Sequence, residues 1–399
     1  MTDISLNKTA EVVVIGGGCN GTSTALHLAK RGIKNVVLVE KNYLTSGATE
    51  DSIANLRPYC ANETMARILQ KSIETFQNFD QVIGGDAKHI QNGRIWAVAQ
   101  ERKEILETTV ANLKNWGIKA RLVSLDEVSK LLPQVNTEVI GAAAYFEEAG
   151  NCDPVATTNA YVTRARDLGV SIYEETEVRH IKVSGGKVQS VVTNQGEIST
   201  PVVINVAGLW SDRIGRMVGI EIPISVQRQQ SIFLRRPYDF MSIFPCYHDG
   251  ITELGYRPGR PDLEELIQVY KTLMAPPEIV DPDKYNDDVY EEFVSKTLEE
   301  TYRCMPILRR ASYRGGATGC YDMTPDHSPV FGEAPEVEGF YCHCGWSGLG
   351  FQASQVMGDL MAELITTGKT TFVDTSIYRL SRFKEGKLLE SDWYVPEEQ

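Results

Sequence analysis

The 399-residue chain has no run of about 18 apolar residues, the length a helix needs to cross a bilayer, so no transmembrane segment is expected. Its polar start, Met1 to Lys8, lacks both the basic region and the apolar region of a secretory leader, which predicts a cytoplasmic protein. Positive charge is also short. Forty Lys and Arg stand against 53 Asp and Glu, a net charge of −13, which argues against nucleic acid or an anionic membrane surface as a partner. A local basic pocket for a small acid remains compatible with that balance. The eight cysteines (Cys19, Cys60, Cys152, Cys246, Cys304, Cys320, Cys342, Cys344) are scattered rather than grouped at zinc-ligand spacing, so free thiols and no metal site are expected. Cys342-His343-Cys344, the one close cluster, lies in Phe340 to Gly345, which alternates like a strand. There are no internal repeats or low-complexity tracts.

What the chain does have is a βαβ unit that suits ADP. Val12 to Ile15 reads as a buried parallel strand, Cys19 to Arg31 as a helix with Ala25, Leu28 and Ala29 on one face, and Val36 to Val39 as the second strand. Between the first two elements, Gly16 permits a tight turn, Gly18 lets the backbone approach a pyrophosphate, and Gly21 allows close helix packing. Glu40 ends the second strand, placed to accept hydrogen bonds from a ribose diol. An acid there repels a 2′-phosphate, which sets NADP aside and leaves FAD and NAD open.

The length exceeds one ordinary core, so two domains are expected, in a soluble composition of 42% hydrophobic and 23% charged residues. A small-residue loop, Tyr43 to Tyr59, follows the nucleotide unit and is expected to cover the cofactor. Helices are predicted over Glu63 to Asp80, Glu101 to Trp116, Ser124 to Leu132 with Ser124 as cap, and Asp153 to Leu168 with Asp153 as cap and Pro154 at the first helical position. Strands are predicted at Gly93 to Ala99, Val170 to Tyr173, Glu177 to Ser184, Lys187 to Thr193 and Val202 to Val206, the last ending at Ala207-Gly208, where a loop can meet the cofactor. Ile224 to Leu234, Gly250 to Arg257 and Leu266 to Tyr270 alternate like an antiparallel sheet. Asp281 to Cys304 reads as a helix with a solvated charged face. A Gly-rich stretch at 315–319, the turn Thr324-Pro325-Asp326, and Ser347-Gly348-Leu349-Gly350 before a helix from Gln352 to Thr367 complete the chain. It leaves and re-enters the nucleotide-binding layer, so the domains are discontinuous: 1–85, 146–220 and 322–399 for the cofactor, 86–145 and 221–321 for the substrate.

Two glycine-rich turns, one at each end of the chain, favour a flavin. The first suits a pyrophosphate, and the second aims N–H groups at the negative charge that a reduced flavin carries near N1. The segments VVVIGGGCNGTSTALHLAKRG, VVLVEK, NVAGLWSDRIGRMVG, GCYDMTPDHSPVFG and GWSGLGFQASQVMGDLMAEL resemble, in order and over nearly the whole chain, the D-amino-acid oxidase superfamily of FAD-dependent amine oxidoreductases. The likeness is greatest to the branch of sarcosine oxidase, dye-linked proline dehydrogenase β subunits and bacterial amino-acid dehydrogenases. The resemblance implies an α/β fold with a Rossmann-like FAD domain of the glutathione-reductase type, joined to a discontinuous domain of antiparallel sheet and helices. It implies Gly16, Gly18, Gly21 and Glu40 on the ADP, with Lys41 following the acid. Ser46 and Thr49 contact pyrophosphate and flavin, Val178 meets the adenine through its backbone, and Gly348, Leu349, Gly350 and Gln352 lie over the pyrimidine end.

The chain also departs from its relatives. Tyr321 stands where D-amino-acid and glycine oxidases place a carboxylate-binding arginine. Gln352 replaces a sarcosine oxidase lysine, and Gly319 replaces the flavin-linking cysteine, so FAD is expected to be non-covalent, with Cys320 the alternative attachment point. The oxygen-activating lysine aligns with Gln268, which leans toward a dehydrogenase. Arg57 in the covering loop is the remaining carboxylate ligand, its planar fork suiting a bidentate anion, with an interdomain salt bridge the competing role. Tyr256 or Arg257 is expected to wall the pocket, one of the two facing it. His248 is a candidate base or substrate contact, against a purely structural role.

The expected reaction is hydride transfer from a small amine or amino acid to flavin N5. Walls such as Tyr256 and Tyr321 favour the neutral amine by desolvation, and the imine hydrolyses afterwards. Oxygen or another carrier takes the electrons. The rival readings are a flavoenzyme acting on a 2-hydroxy acid or glycerol phosphate, an NAD-linked dehydrogenase, and a flavin subunit of a hetero-oligomer.

Overall fold

The computed structural model describes residues 6–259, 263, 265–272 and 274–390. Residues 1–5 and 391–399, the ends of the expected cofactor domain, lie outside them.

Strand β1 (Val12–Ile15), helix α1 (Cys19–Lys30) and strand β2 (Val36–Val39) form as their residues dictate: eight apolar strand residues are buried, which only a sheet covered on both faces allows. β1 is central, pairing in parallel with β2 (Val13 opposite Val37) and with Val203–Asn205 (Val13 opposite Val203). The sheet runs Val330–Glu333, Phe340–Cys344, Val203–Asn205, β1, β2, Ser171–Tyr173, all parallel except the terminal hairpin. α1 packs between the helices Pro154–Asp167 and Gly350–Thr367 on one face. Asp153 caps the first of these, accepting the Ala156 N–H at 2.8 Å, with Pro154 at the first helical position. Ser124 likewise caps Leu125–Leu131.

The second layer is a nine-stranded sheet, antiparallel except where Cys246–Asp249 runs parallel to Arg94–Val98. Its order is Glu278–Ile279, Ser225–Arg235, Leu266–Lys271, Leu254–Pro258, Cys246–Asp249, Arg94–Val98, Ala142–Phe146, Arg121–Val123, with Ser312–Met323 along the other side of Ser225–Arg235. The fold is therefore α/β, a Rossmann-like parallel sheet joined to an antiparallel one. Among the described residues no helix is long and apolar enough to cross a membrane.

Two expectations are corrected. The helix expected from Asp281 begins only at Glu291. Upstream of it, Pro282 interrupts the pattern, Asp281 and Asp283 pair with Arg213, and the Asn286 carbonyl accepts Arg228 Nε at 2.7 Å. The Gly-rich stretch at 315–319 is part of the long strand Ser312–Met323. A β-carbon at Gly319 would stand 2.8 Å from Asp51 Cβ, so the small residues let other segments lie against the strand. The strand expected over Gly250 to Arg257 starts at Leu254, and four-residue Cys246–Asp249 precedes it.

Candidate active site

A cavity of about 1600 Å³ runs from the β1–α1 turn to the face of the antiparallel sheet. At the turn, a β-carbon on Gly21 would overlap the Gly16 carbonyl, so the close approach of helix and turn requires glycine there. Thr49 Oγ1 accepts the Cys19 N–H at 3.1 Å, tying the covering loop to the start of α1, where first-turn N–H groups lack intrahelical acceptors. Glu40 closes β2 with one carboxylate oxygen on the Gly17 N–H (2.7 Å) and the other on the Asn42 N–H (2.9 Å). Ser46, Val178 and Gly208 line this end, Gly208 at φ +51°. Lys41 sits at the rim with its ammonium engaged: it lies 3.5 Å from the Trp210 ring centre and 3.1 Å from Asp283 Oδ1.

The second glycine turn meets the middle of the cavity. Gly348 (φ +86°) and Gly350 line it. Leu349 does not: its side chain is in the core and its N–H donates to the Trp346 carbonyl, which corrects its expected direct role. The loop before the turn is held by Asp322, whose Oδ2 accepts the Gly345 N–H at 2.8 Å. Burial pushes this carboxyl up to about 6. Gln352 Oε1 accepts the Arg57 N–H at 3.0 Å, and the Gln352 carbonyl accepts Ser72 Oγ, so the helix start positions the segment that carries Arg57.

Beyond that turn the antiparallel sheet supplies a cross-strand row. Trp96, His248, Gly255, Tyr270 and Ser231 are successive partners on five strands. Tyr59 stacks on Trp96 (4.9 Å between centres), and Trp96 on His248 (5.9 Å). His248 Nε2 donates to Glu253 Oε2 at 3.3 Å, and Glu253 pairs with Arg102 at 2.7 Å. Burial lowers the His248 pKa, with Arg94 and Arg57 adding to the effect, so the ring is neutral at pH 7 and its buried Nδ1 is an unpartnered acceptor. Arg57 lines the cavity, its guanidinium carbon 4.5 Å from the Tyr59 ring centre. Tyr321 packs against Gly348, and desolvation pushes its hydroxyl up to about 12.

Tyr256 does not wall the cavity. It is 0% exposed in the core behind the antiparallel sheet, with its hydroxyl 3.4 Å from Thr301 Oγ1 and its ring against Tyr247, because strand alternation turns it to the far face. Arg257 is not at the wall either, since its guanidinium holds the Ile53 carbonyl. Gln268 is bonded to Ser231 Oγ and lies off the lining, whereas Lys271 is on it. Arg94, Tyr59, Trp96 and Tyr270 are on the lining and were not singled out in the sequence. Cys320 is buried beside Tyr285, its thiol pushed up to about 12 by burial. No group of three His, Cys, Asp or Glu among the described residues is arranged to hold a metal.

The lining fits a dinucleotide flavin. Asn20 Oδ1, His343 Nε2, Trp346 Nε1, Trp96 Nε1 and both Gln229 amide atoms are buried on it without a partner, and such groups call for a polar ligand. The sequence matches the FAD dependent oxidoreductase family (DAO) over residues 11–364. The chain belongs to that family. This FAD-dependent oxidoreductase is 26% identical to mitochondrial sarcosine dehydrogenase of Mus musculus over 97% of its own length, and spans 43% of that longer protein. It is 28% identical to sarcosine oxidase subunit beta of Rhodobacter capsulatus, covering 96% of this chain and 91% of the relative. Among solved structures, L-proline dehydrogenase from P. horikoshii superposes with a TM-score of 0.88 at 26% identity, over 96% of this chain and all of the other.

Proposed function

We propose that this FAD-dependent oxidoreductase oxidises the C–N bond of a small amine or amino acid to an imine that hydrolyses in water. The observation that carries the reading is the unpartnered Nδ1 of neutral His248, buried in the cavity wall near Arg57 and Tyr59, and the likeness to proteins named for sarcosine, an N-methyl amino acid, favours an amine at that atom. In this reading Arg57 takes the substrate carboxylate and His248 Nδ1 accepts the amine N–H. The aromatic wall of Tyr59, Trp96, Tyr270 and Tyr321 excludes water, which favours the neutral amine whose lone pair drives loss of hydride from the adjacent carbon. Bound FAD supplies the two-electron acceptor.

The division of labour follows the two sheets. Residues in 1–85, 146–220 and 322–399 hold the FAD without a covalent bond: Gly16, Gly18, Gly21, Glu40, Ser46, Thr49, Val178 and Gly208 at the ADP end, Gly348, Gly350 and Gln352 at the flavin. Segments 86–145 and 221–321, with Arg57 from the covering loop, hold the substrate. Oxygen or a carrier reoxidises the flavin, and the likeness to a protein named as a β subunit supports assembly with partner subunits.

The same histidine also suits a 2-hydroxy acid, whose hydroxyl needs a base. Product analysis separates the two readings. Turnover of an N-methyl amino acid is expected to release methylamine or formaldehyde, whereas a 2-oxo acid formed only from hydroxy acids would overturn the amine reading.

A further inference from the structure

Arg94 is the unexplained charge of the site. It is 3% exposed, lies on the cavity lining, and has no carboxylate partner among the described residues. Its Nε donates to the Tyr59 hydroxyl at 2.8 Å, and Nη1 reaches the Tyr270 hydroxyl at 3.5 Å. Tyr270 Oη also accepts Asn55 Nδ2 at 2.6 Å, so both phenol oxygens act as acceptors toward protein donors and their own O–H protons are uncommitted. The guanidinium and two phenols thus present donors only. A buried cation without a counter-ion is costly, and a set of donors with no acceptor calls for an anion.

Arg102, the neighbouring cation, is neutralised by Glu253. Arg57 and Arg94 flank the same aromatic ring, with guanidinium carbons 4.5 and 5.8 Å from the Tyr59 centre, so one carboxylate on Arg57 leaves Arg94 unmet. Lys271, also on the lining and without an acid partner among the described residues, adds to the positive field.

We propose that the substrate carries two acidic groups: an amino- or N-alkylamino-dicarboxylate whose second carboxylate is bound by Arg94 with the Tyr59 and Tyr270 hydroxyls. This rests on the amine reading above for the reacting centre, but the Arg94 subsite is a binding site in its own right.

The test uses the FAD-loaded protein and matched pairs that differ only in the second carboxylate: N-methylalanine against N-methylaspartate, and N-methyl-2-aminobutyrate against N-methylglutamate. The dicarboxylates are expected to reduce the flavin about 10- to 100-fold more efficiently, the range for one charge-assisted contact. Arg94→Met is expected to erase that preference and Arg94→Lys to retain part of it. Equal or reversed efficiencies within the pairs overturn the proposal. Binding of unreactive glutarate against butyrate, read as a perturbation of the flavin absorbance, tests the subsite without turnover. Tighter glutarate binding by wild type supports the second anion site even if no amine is oxidised, and equal binding overturns it even if the Arg94 variants do not fold.

Discussion

The ring of Tyr270 lies directly over the Cα of Gly255 on the adjacent strand, so close that a β-carbon at 255 would overlap Tyr270 Cζ. The missing side chain leaves room for the phenol between His248 and Ser231 in the cross-strand row. Gly255→Ala is therefore expected to displace Tyr270 and lower kcat/KM by about tenfold, the scale of one lost positioning contact. FAD affinity should stay unchanged, because the turn and the acid proposed to hold the ADP end belong to the parallel sheet, not to this strand. Steady-state kinetics with a flavin-binding titration check both parts.

Tyr256 and Tyr270 make a second contrast. Tyr256 faces the core behind the antiparallel sheet, where its hydroxyl meets Thr301 and Cys304 rather than the cavity, so Tyr256→Phe is expected to leave turnover unchanged. Tyr270→Phe removes a cavity hydroxyl that accepts from Asn55 and Arg94, and is expected to reduce kcat/KM by about tenfold. Parallel kinetics on the two variants decide which tyrosine belongs to the site.

At the nucleotide end, a β-carbon on Gly18 would stand 2.8 Å from Thr49 Oγ1, the atom that accepts the Cys19 N–H. Gly18→Ala pushes the covering loop off the start of α1 and is expected to weaken FAD binding by at least about tenfold. Thr49→Val, which loses the acceptor without adding bulk in the turn, should show a smaller loss. Isothermal titration of apoprotein with FAD measures both.

Buried histidines set the acid limit of stability. Burial lowers His27 to about 4 and His343 to about 3, and depresses His248 as well. Between those values and the ordinary value of 6.5 the unfolded chain holds more protons than the folded one. The stability these histidines contribute is therefore full above pH 6.5 and falls as pH drops below it. Asp51 and Asp322, raised by burial to about 7 and about 6, act the other way in the same window. The five lowered histidines, His27, His89, His248, His327 and His343, outnumber them, so the Tm is expected to decrease between pH 7 and pH 5. His27→Gln, which removes one depressed group from the interior of α1, should make that decrease shallower. Differential scanning calorimetry across this range tests the sign.

The nucleotide-binding layer was legible in the sequence because its determinants are local. Four buried apolar residues, a glycine turn, a helix and an acid follow one another within residues 12–40, and the caps Ser124 and Asp153 announce their helices in the same way. The substrate wall was less legible because Trp96, His248, Tyr270 and Ser231 come from strands paired in an order that periodicity does not reveal. Tyr256 shows the cost: alternation says that neighbours face opposite ways, but the register decides which face is the cavity. Arg94 carries no motif at all. Only its burial on the cavity lining without an acid beside it marks it, and that is a property of the fold.

Oxidation of a C–N bond by this flavoprotein is read from the flavin absorbance of the FAD-loaded protein under anaerobic conditions, with each α-amino or N-methylamino acid set against the 2-hydroxy acid of the same carbon skeleton. The flavin band is expected to bleach with an amine and to do so more slowly when the hydrogen on the reacting carbon is deuterium. Bleaching by the hydroxy acid alone would contradict it.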